Sequence, residues 1–467
     1  MDKESRKAYF EAAAGKILRW RRKNRSYHRL LEEYYQFFIP RGSRVLELGS
    51  GTGDLLAAVA PSYGVGLDFS PQMTELARSR HPELRFMEAD AEDYPFSEKF
   101  DFIILSDLVG SLWDVQKVFE NMQNASHDRT RIIISNYNYL WEPVIQLGEG
   151  LGFKQKQPLQ NWLSITDIRS ILSLAGFETI RTEKKIILPK NIPLLSWFFN
   201  RIMVNVPFFR GSGLTNFIVA RPAVERNDHQ SVTIVVPARN EKGNIENAIL
   251  QTPGFGSHQE FIFVEGNSSD GTWDEMLRVK ESYPDKDIKV MRQSGRGKGN
   301  AVREGFEKAT GDMLFILDAD LTTPPGDMPK FYDALRKNRG EFINGCRLVY
   351  PMEKQAMRFL NLVANKTFGM IFSYLLGQSL KDTLCGTKVL YRKDYETIRD
   401  NRSYFGDFDP FGDFDLLFGA AKLNLKIVEV NVRYKDRQYG STQISRFRHG
   451  WLLVRMTVYA ARKLKFF

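Results

Sequence analysis

Short apolar runs that end in glycine or polar turns alternate with stretches of helical spacing along most of the chain. Such runs predict buried strands, and their alternation with helices predicts parallel sheets covered by helices on both faces. In the first half the predicted strands are residues 44–48, 64–67, 85–87, 101–105 and 131–135. In the second half they are residues 232–236, 260–264, 288–291, 313–317 and 342–344. The pattern predicts an α/β protein of two domains.

A polar run, RPAVERNDHQ, separates the two strand-rich halves and is typical of a linker. We place the first domain, with its N-terminal helices, at residues 1–222, the linker at 223–230 and the second domain at 231–445. Residues 446–467 are predicted to form a basic amphipathic helix, because Arg448, Arg455 and Arg462 recur every seven residues. Such a helix suits the headgroup region of an anionic membrane, and an ordinary surface helix packed on its own domain explains the pattern equally well.

Composition narrows the possible partners. The 467 residues are 43% hydrophobic and 26% charged, as in a globular protein, and 66 Lys and Arg against 56 Asp and Glu give a net charge of +10. This charge favours anionic partners. The sequence has no nucleic-acid recognition module and no basic stripe with interleaved aromatic residues, so we expect no nucleic-acid partner. Two cysteines, Cys346 and Cys385, are too few for a disulfide framework, which fits a reducing compartment.

Targeting and membrane-spanning segments are not expected. The basic N-terminus has no uninterrupted apolar core followed by a cleavage site. Residues 192–209, 359–380 and 451–467 are apolar but are interrupted by Asn, Lys or Arg, whereas a spanning helix needs about 20 apolar residues. The expected location is cytoplasmic, with peripheral contact at the cytoplasmic face of the membrane.

The first predicted strand is followed by a glycine-rich turn, in the sequence VLELGSGTGDLL. Glycines at the carboxyl end of a strand let a ligand approach the backbone and the N-terminus of the next helix. Glu47 precedes this turn and would attract a cationic ligand. Asp68, at the next strand end, can accept hydrogen bonds from both hydroxyls of a ribose, and Asp90, after the third strand, can accept one from an adenine amine. Together these acids predict a site for S-adenosylmethionine.

The motifs ELGSGTG and GLDFSPQM and the pair Asp90 and Ala91 resemble, in this order, the class I S-adenosylmethionine-dependent methyltransferases. The resemblance covers roughly residues 25–220 and implies a Rossmann-like methyltransferase domain. The cofactor-binding residues that it implies are Glu47, Gly49, Ser50, Gly51, Thr52, Gly53, Asp68, Phe69, Asp90 and Ala91. Asp107 and Trp113 follow the fourth strand, where a catalytic group could lie, but capping or core packing accounts for them equally well. We therefore assign no base.

The predicted strand ends of the second domain carry a different chemistry. TIVVPARNE and FIFVEGNSSDGT place acids and amides at two neighbouring strand ends, where they can hold a base and a ribose. RGKGNAVREGF places Arg296 and Lys298 in a glycine-rich turn before a helix, which is a cationic cradle for phosphate oxygens. A buried strand then delivers Asp318 and Asp320, in the sequence DAD. These carboxylates are hard ligands for Mg²⁺ or Mn²⁺, which would neutralise a diphosphate leaving group.

The order VPARNE, VEGNSSDGT, GKGNAV, DAD closely resembles the family 2 glycosyltransferases of GT-A fold, over roughly residues 231–445, and among them the polyprenyl-phosphate sugar transferases. The resemblance implies a nucleotide-sugar donor and inversion at the anomeric carbon. The donor-binding residues implied are Pro237, Ala238, Arg239, Asn240, Glu241, Glu265, Asp270, Lys298, Asp318, Ala319 and Asp320, with Asp318 and Asp320 as metal ligands. The family usually has two acids where this chain has Glu265 and Gly266.

The same resemblance continues through the acceptor side, at Arg347, Arg358, Asn365, Asp382, Gly386, Lys388, Asp413 and Asp415. For the most similar members it implies a lipid-phosphate acceptor. A phosphate monoester is anionic near neutral pH and can attack without a strong base, so Arg347, Arg358 and Lys388 are candidates to hold its oxygens. A sugar hydroxyl would need a base, for which Asp415 is the candidate. The alternative is that these basic residues form surface salt bridges and bind no acceptor.

The catalytic candidates are thus Asp320, Arg347, Lys388 and Asp415. Residues 357–376 are amphipathic and could bring the acceptor site to a bilayer. The leading hypothesis is a bifunctional enzyme that transfers methyl groups from S-adenosylmethionine and sugar from a nucleotide sugar to polyprenyl phosphate. An alternative is transfer to a glycan or small-molecule hydroxyl, with the methyltransferase domain as a binding or regulatory module.

Overall fold

A computed structural model describes residues 3–155, 160–226, 228–350, 359–404, 412, 414–437, 439 and 446–466. The chain forms two compact units, the first running to Val224 and the second from Glu225 to Lys465.

The first unit is built on one sheet with helices on both faces. Its strands are β1 (Arg44–Leu48), β2 (Tyr63–Asp68), β3 (Arg85–Glu88), β4 (Phe100–Ser106), β5 (Ser126–Tyr137), β6 (Phe177–Lys185) and β7 (Thr215–Pro222). Its helices are α1 (Lys3–Lys23), α2 (Arg25–Phe38), α3 (Asp54–Ala58), α4 (Pro71–Arg80), α5 (Val115–Ala125), α6 (Glu142–Gly150), α7 (Ile165–Leu174) and the short α8 (Leu195–Trp197).

The strand order among the described residues is β3-β2-β1-β4-β5-β7-β6. Strands β1 to β5 pair in parallel, with Val45 opposite Gly64 on one side and Phe102 on the other. The prediction of a wholly parallel sheet is wrong at one edge, where β7 runs antiparallel to both β5 and β6. Neither β6 nor β7 is among the strands predicted from the sequence, and β6 gives no apolar run because it carries charged residues on both faces.

Burial explains why the central strands read as continuous apolar runs. Residues 103–105 of β4 are fully buried, since helices cover both faces of the sheet. Helix α2 buries Tyr27, Leu31, Tyr34 and Phe38, which recur at helical spacing along one side. Helix α4 begins directly after Ser70, whose side chain accepts a hydrogen bond from the Met73 N–H, and has proline at its first helical position.

The second unit is a second α/β sandwich. Its strands are β8 (Val232–Ala238), β9 (Gln259–Glu265), β10 (Asp287–Arg292), β11 (Met313–Ile316), β12 (Phe342–Cys346), β13 (Lys388–Tyr391) and β14 (Ile427–Asn431). Its helices are α9 (Ile245–Leu250), α10 (Thr272–Ser282), α11 (Lys298–Lys308), α12 (Met328–Arg336), α13 (Phe359–Leu376), α14 (Arg392–Asp400), α15 (Phe414–Lys422) and α16 (Arg446–Leu464).

Its strand order, within the described residues, is β10-β9-β8-β11-β13-β12-β14. Strands β8 to β11 are parallel, β13 is antiparallel to both of its neighbours, and β12 and β14 are parallel. This sheet is therefore also mixed. Both units confirm the predicted α/β class.

The C-terminal helix α16 has a buried apolar side and an exposed side that carries arginines. Leu453, Met456, Ala460 and Leu464 are buried. The opposite side exposes Arg455 and Arg462 together with the apolar residues Trp451, Val454 and Val458. Across the part of the chain that the structure describes, no helix combines the length and the apolar character that crossing a membrane requires.

Candidate functional sites

The carboxyl ends of β1, β2 and β4 open into a cavity of about 280 Å³ in the first unit. Six acids line it, namely Glu32, Glu47, Asp68, Asp90, Glu92 and Asp107. Parallel strands bring their carboxyl ends to one edge of the sheet, which is why residues far apart in sequence meet here. Helices α1 and α2 complete the wall. The remaining predicted cofactor residues Gly49, Ser50, Gly51, Thr52, Phe69 and Ala91 also line this cavity, whereas Gly53 is not among its lining residues.

The glycine turn after β1 has the backbone that its sequence requires. Gly49, Gly51 and Gly53 have φ values of +69°, +51° and +74°, a region that favours glycine. At Gly53 a Cβ would also lie 2.5 Å from the ring of Phe86. The turn holds Asp68 in place, because the Gly51 N–H donates to Oδ2 at 2.9 Å and the Ser70 N–H donates to Oδ1 at 3.0 Å. Each oxygen keeps a second lone pair for a ligand.

Glu47 lies at the bottom of the cavity and is 2% exposed. Burial raises the pKa of its carboxyl to about 8, although Arg21 acts in the opposite direction. Its Oε2 has no hydrogen-bond partner among the described residues. A buried carboxyl in this condition is neutral at pH 7 and becomes a favourable anion when a cation arrives.

The N-terminal helices contribute residues that the sequence analysis missed. Lys7 of α1 lies 3.4 Å from Asp90, and Arg21 of the same helix lies 3.0 Å from Asp54. His28 of α2 also lines the cavity, and burial lowers the pKa of its imidazole to about 3, so it is neutral at pH 7. The signal available in the sequence was the basic character of the N-terminal segment. This character does not indicate which part of the protein the N-terminal helices pack against.

Asp107 has the most unusual surroundings in this cavity. Its backbone is in the left-handed region, with φ of +52°, and the hydroxyl of Tyr27 donates to Oδ2 at 2.8 Å. Oδ1 is inaccessible to solvent and has no hydrogen-bond partner in the described structure. Enclosure by protein raises the pKa of the carboxyl to about 6, although the hydrogen bond from Tyr27 lowers it. Trp113, the other sequence candidate, also lines the cavity. Asp107 is thus a strained acid with spare accepting capacity.

In the second unit, the ends of β8 and β9 are joined by polar contacts. Asn240 has φ of +56°, and its side-chain oxygen accepts a hydrogen bond from the Ser269 N–H at 2.8 Å. Asp270 accepts from the Thr272 N–H at 3.0 Å. The structure therefore brings the two predicted strand ends together. Pro237, Ala238 and Arg239 complete the end of β8, and the Ala238 carbonyl accepts from the Gly266 N–H at 2.9 Å. Glu265, at the end of β9, is buried and accepts from the Ser268 N–H.

Asp318 lies in a cluster of cations. Oδ1 is 2.6 Å from Lys298 Nζ, so the glycine-rich turn of β10–α11 and the end of β11 meet. Burial would raise the pKa of Asp318, but Lys298, Lys388 and Arg347 outweigh it and lower the pKa. Gly386 packs so closely here that a Cβ would overlap the carboxylate of Asp318. Asp318 is therefore a permanent anion at pH 7.

Asp320 is held by an arginine that the sequence analysis did not identify. Arg437 donates from Nη2 to Asp320 Oδ2 and from Nη1 to Glu241 Oε1, both at 2.6 Å. Its guanidinium thus bridges the ends of β8 and β11. Burial raises the pKa of Glu241, and Arg437 acts in the opposite direction. Ala319, between the two acids, is buried.

The acids of the DAD motif fit a metal only in part. In the described ranges no group of three or more His, Cys, Asp or Glu is arranged to hold an ion. Mg²⁺ commonly takes one or two carboxylates from the protein and its other oxygens from substrate phosphates. Asp318 and Asp320 have the chemistry for that sharing, provided that Lys298 and Arg437 exchange partners when a diphosphate binds.

On the acceptor side, Arg347 is tied to Asp382. Its Nε and Nη2 donate to the two carboxylate oxygens of Asp382 at 2.8 and 2.9 Å, and Asn365 donates to Oδ1 at 2.9 Å. Burial opposes ionisation of Asp382, but Arg347 lowers its pKa to about 2. Lys388 is fully buried and donates to the Cys385 carbonyl at 2.5 Å. Both cations therefore contribute charge near Asp318 while they hold the loop before β13.

The remaining predicted residues lie elsewhere or beyond the described part. Asp415 is 3.3 Å from Arg402 and 3.9 Å from Arg303. Gly412, just before it, packs on Gly299 of the phosphate-cradle turn. Arg358 and Asp413 lie outside the described residues. Arg296 is in the turn that precedes α11.

Two family models match the chain. Residues 18–182 match a model described as a methyltransferase domain, and residues 233–399 match a model described as glycosyl transferase family 2. A solved structure from Thermotoga maritima, titled a SAM-dependent methyltransferase, is similar over 46% of this chain and 98% of its own, with 16% identity and a TM-score of 0.37.

Curated relatives match the second half. The dolichol-phosphate mannosyltransferase of Pyrococcus furiosus is 27% identical over 219 residues, which cover 46% of this chain and 59% of the relative. The undecaprenyl-phosphate 4-deoxy-4-formamido-L-arabinose transferase of Pectobacterium carotovorum is 27% identical over 224 residues, which cover 47% and 64%. The chain thus spans less than two thirds of either relative.

Replacement of Asp107 by asparagine is expected to stabilise the first unit, and to do so more at pH 8 than at pH 5. Because the pKa of the Asp107 carboxyl is higher in the folded protein than in the unfolded chain, the protonated carboxyl stabilises the fold at low pH. This contribution to the free energy of unfolding is lost as the pH rises from about 4 through about 6. At pH 8 we expect the free energy of unfolding of Asp107→Asn to exceed that of the wild type by about 1–2 kcal/mol. This figure is reduced for the solvent that reaches the carboxyl through the cavity. Calorimetric unfolding of the full chain at the two pH values measures it.

The surface variant Glu75→Gln is the matched control and is expected to leave stability unchanged at both pH values. Asparagine also tolerates the left-handed backbone, so a part of the gain is independent of pH. Equal stability of Asp107→Asn and wild type at pH 8 would contradict the argument.

Proposed function

We propose, from the premise that residues 18–182 are a methyltransferase domain and residues 233–399 a family 2 glycosyltransferase domain, that the chain is a bifunctional enzyme. Its first domain transfers a methyl group from S-adenosylmethionine, and its second transfers sugar from a nucleotide sugar to a polyprenyl phosphate. We place the domains at residues 1–222 and 231–445, joined by the linker 223–230 and followed by the helical segment 446–467.

The acid-lined cavity supports the methyl transfer. S-adenosylmethionine, when bound, supplies the methyl group as a cationic sulfonium. Glu47, with its unpartnered oxygen, offers the anion that a cation needs, and Asp68 and Asp90 offer acceptors for the ribose and the adenine. Anionic acceptors of the methyl group are disfavoured by the same acids, since like charges in a cavity repel.

The contact between Lys298 and the DAD motif is the observation that carries the sugar transfer. It brings phosphate-binding and metal-binding chemistry to one point beside the ends of β8 and β9. In the reaction, a phosphate oxygen of the acceptor forms a bond to the anomeric carbon while the bond to the donor diphosphate breaks, with inversion. Lys298, Arg437 and a divalent cation, Mg²⁺ or Mn²⁺, would neutralise the departing diphosphate, which takes the electron pair.

A lipid phosphate is the acceptor that the site favours. The curated relatives are named for dolichol phosphate and undecaprenyl phosphate, which are both polyprenyl phosphates. An anionic phosphate needs no strong base, and the candidate base Asp415 is engaged by Arg402 at 3.3 Å and Arg303 at 3.9 Å. Lys388 and Arg347 supply positive charge on the acceptor side.

Membrane contact of the second domain follows from such an acceptor, because a polyprenyl tail stays in the bilayer. The exposed side of α16 presents Trp451, Val454 and Val458 beside Arg455 and Arg462. Aromatic and aliphatic residues beside arginines suit the headgroup region of an anionic membrane. We therefore propose peripheral binding at the cytoplasmic face.

Replacement of Glu47 by glutamine is expected to reduce the pH dependence of cofactor binding. In the wild type, the affinity for S-adenosylmethionine should rise about tenfold between pH 6 and pH 8, because the bound cation favours ionisation of a carboxyl whose pKa is about 8. Titration calorimetry measures both proteins, and neutral adenosine serves as the control ligand. An equal rise in wild type and variant would exclude this role of Glu47.

Labelled nucleotide sugars, polyprenyl phosphate in detergent and Mg²⁺ or Mn²⁺ test the sugar transfer. We expect a labelled glycolipid from the wild type and a loss of about 10²-fold or more in Asp320→Asn, since a ligand of the leaving group is removed. Asp333→Asn, on the surface of α12, is the matched control. Failure of every common donor, or an unchanged rate in Asp320→Asn, would contradict the proposal, and dependence on Asp415 with a soluble hydroxyl acceptor would favour the alternative.

A further inference from the structure

A buried glutamine, Gln293, connects the strand ends of the second unit to the turn that carries Lys298. Gln293 directly follows β10, which lies beside β9 in the sheet. Its backbone N–H donates to the Glu265 carbonyl at 2.9 Å, and the residue is 8% exposed. Gln293 is therefore fixed next to the end of β9, and neither proposed reaction gives it a role.

The orientation of the Gln293 amide is set by its hydrogen-bond partners. Nε2 donates to the Gly297 carbonyl and to Asn300 Oδ1, both at 2.9 Å. The carbonyl can only accept, and Asn300 Oδ1 is identified as an oxygen because the Gly295 N–H donates to it at 3.0 Å. Exchange of the nitrogen and the oxygen of the Gln293 amide would destroy both hydrogen bonds. The nitrogen therefore faces the turn before α11, and the oxygen faces away from that turn.

The oxygen of this amide is available to a ligand. Within the described structure, Gln293 Oε1 accepts no hydrogen bond. Unlike Glu47 Oε2 and Asp107 Oδ1, it is not shut off from solvent. An acceptor on a side chain that is more than nine-tenths buried costs free energy unless water or a ligand donates to it. Gln293 thus holds an unused acceptor in a fixed position.

Gly266, directly after β9, leaves the space beside this oxygen open. A Cβ at residue 266 would lie 3.3 Å from Gln293 Oε1 and 3.4 Å from the carbonyl oxygen of Ala238. Gly266 is not among the glycines with positive φ, so the backbone itself does not require glycine here. The second acid that family 2 transferases usually have at this position would bring a carboxylate close to two oxygens that only accept. This chain therefore combines a gap at Gly266 with a neutral amide oxygen beside it.

Arg239, at the end of β8, supplies a donor on the other side of the gap. Its Cβ would lie 3.3 Å from a Cβ at residue 266, and its side chain is exposed. An amide oxygen can only accept and a guanidinium can only donate. Together they match the edge of a nucleobase on which an N–H adjoins a carbonyl oxygen. Uracil and guanine have such an edge, whereas cytosine and adenine carry an amine beside a ring nitrogen.

We propose that Gln293 Oε1, left accessible by the missing side chain of Gly266, accepts a hydrogen bond from the base of the sugar-nucleotide donor, and that this base is uracil or guanine. The assignment rests on the proposed sugar transfer, which requires a nucleotide-sugar donor. Because Nε2 of the same side chain holds the Gly297 carbonyl, one residue before Lys298, Gln293 also connects the base to the phosphate cradle. Gln293 is thus a specificity-determining residue for the donor.

Binding of free nucleotides to the full chain tests the choice of base. In titration calorimetry with Mg²⁺ and UDP, GDP, CDP or ADP, we expect UDP or GDP to bind at least about tenfold more tightly than CDP and ADP, because a site built for one hydrogen-bonding pattern rejects the other. Tightest binding of CDP or ADP would overturn the proposal. Binding of none of the four would remove the donor of the proposed sugar transfer, and the role of Gln293 would fall with it.

The variant Gly266→Ala tests the gap while it leaves the amide and the cradle turn in place. The added methyl group is expected to weaken the binding of the preferred nucleotide about two- to tenfold, as the loss of one hydrogen bond does, and to leave the binding of Mg²⁺ and pyrophosphate unchanged. Gly254→Ala is the matched control, because no atom lies within 4 Å of a Cβ there, and it should bind like the wild type. Unchanged nucleotide binding in Gly266→Ala would overturn the role of the gap, and an equal loss for pyrophosphate would do so as well.

A methylated base removes the same hydrogen bond from the side of the ligand. The nucleotide 3-methyl-UDP, or 1-methyl-GDP if GDP is preferred, is expected to bind the wild type less tightly than the parent nucleotide. In Gly266→Ala the methylated and parent nucleotides should differ less, because the hydrogen bond is already lost and the two effects do not add. Fully additive losses, or equal binding of both nucleotides to the wild type, would contradict the proposal.

Discussion

Parallel strands end at one edge of a sheet, and both sites of this chain depend on that constraint. In the first unit, β1, β2 and β4 deliver Glu47, Asp68 and Asp107 to a single cavity, although β1 and β4 lie more than fifty residues apart. In the second, β8 and β11 deliver Glu241 and Asp320 to one arginine. The loops carry the chemistry because the sheet decides which loops are neighbours.

The two sites differ in the surroundings of their acidic residues. The first encloses carboxyls with few partners, and burial raises the pKa of Glu47 to about 8 and that of Asp107 to about 6. In the second, the acids of the DAD motif face cations: Arg437 contacts Asp320, and Lys298 with its neighbours lowers the pKa of Asp318 against the effect of burial. A cavity with spare anionic capacity suits a cationic ligand. A cluster that is already neutralised suits a ligand that carries its own charges, such as a diphosphate with a metal ion.

The sequence predicted the central strands and the strand-end residues because both have local signals, namely apolar runs and the turn residues after them. β6 was missed because it includes Arg181, Glu183 and Lys185, which are all buried, and only the fold shows that Lys185 lies 3.1 Å from Glu183. Arg437 lies in a polar stretch with no periodicity, about 120 residues after its partner Asp320. Tyr27 and Asp107 are likewise 80 residues apart. Such pairs are set by topology, which a single sequence does not reveal.

The arginine between Glu241 and Asp320 has a consequence for the proposed sugar transfer. A divalent cation at Asp320 would displace the guanidinium of Arg437, and a donor diphosphate would at the same time need cationic partners. The displaced Arg437 is one such partner, and Lys298, 2.6 Å from Asp318, is another. Binding of donor and metal together is therefore an exchange of ion pairs, and it leaves neither a carboxylate nor a guanidinium without a partner. Binding of the metal alone would leave Arg437 with Glu241 as its one carboxylate partner among those named here, and binding of the diphosphate alone would bring anions against Asp318 and Asp320, so the proposed site favours both ligands arriving as one complex.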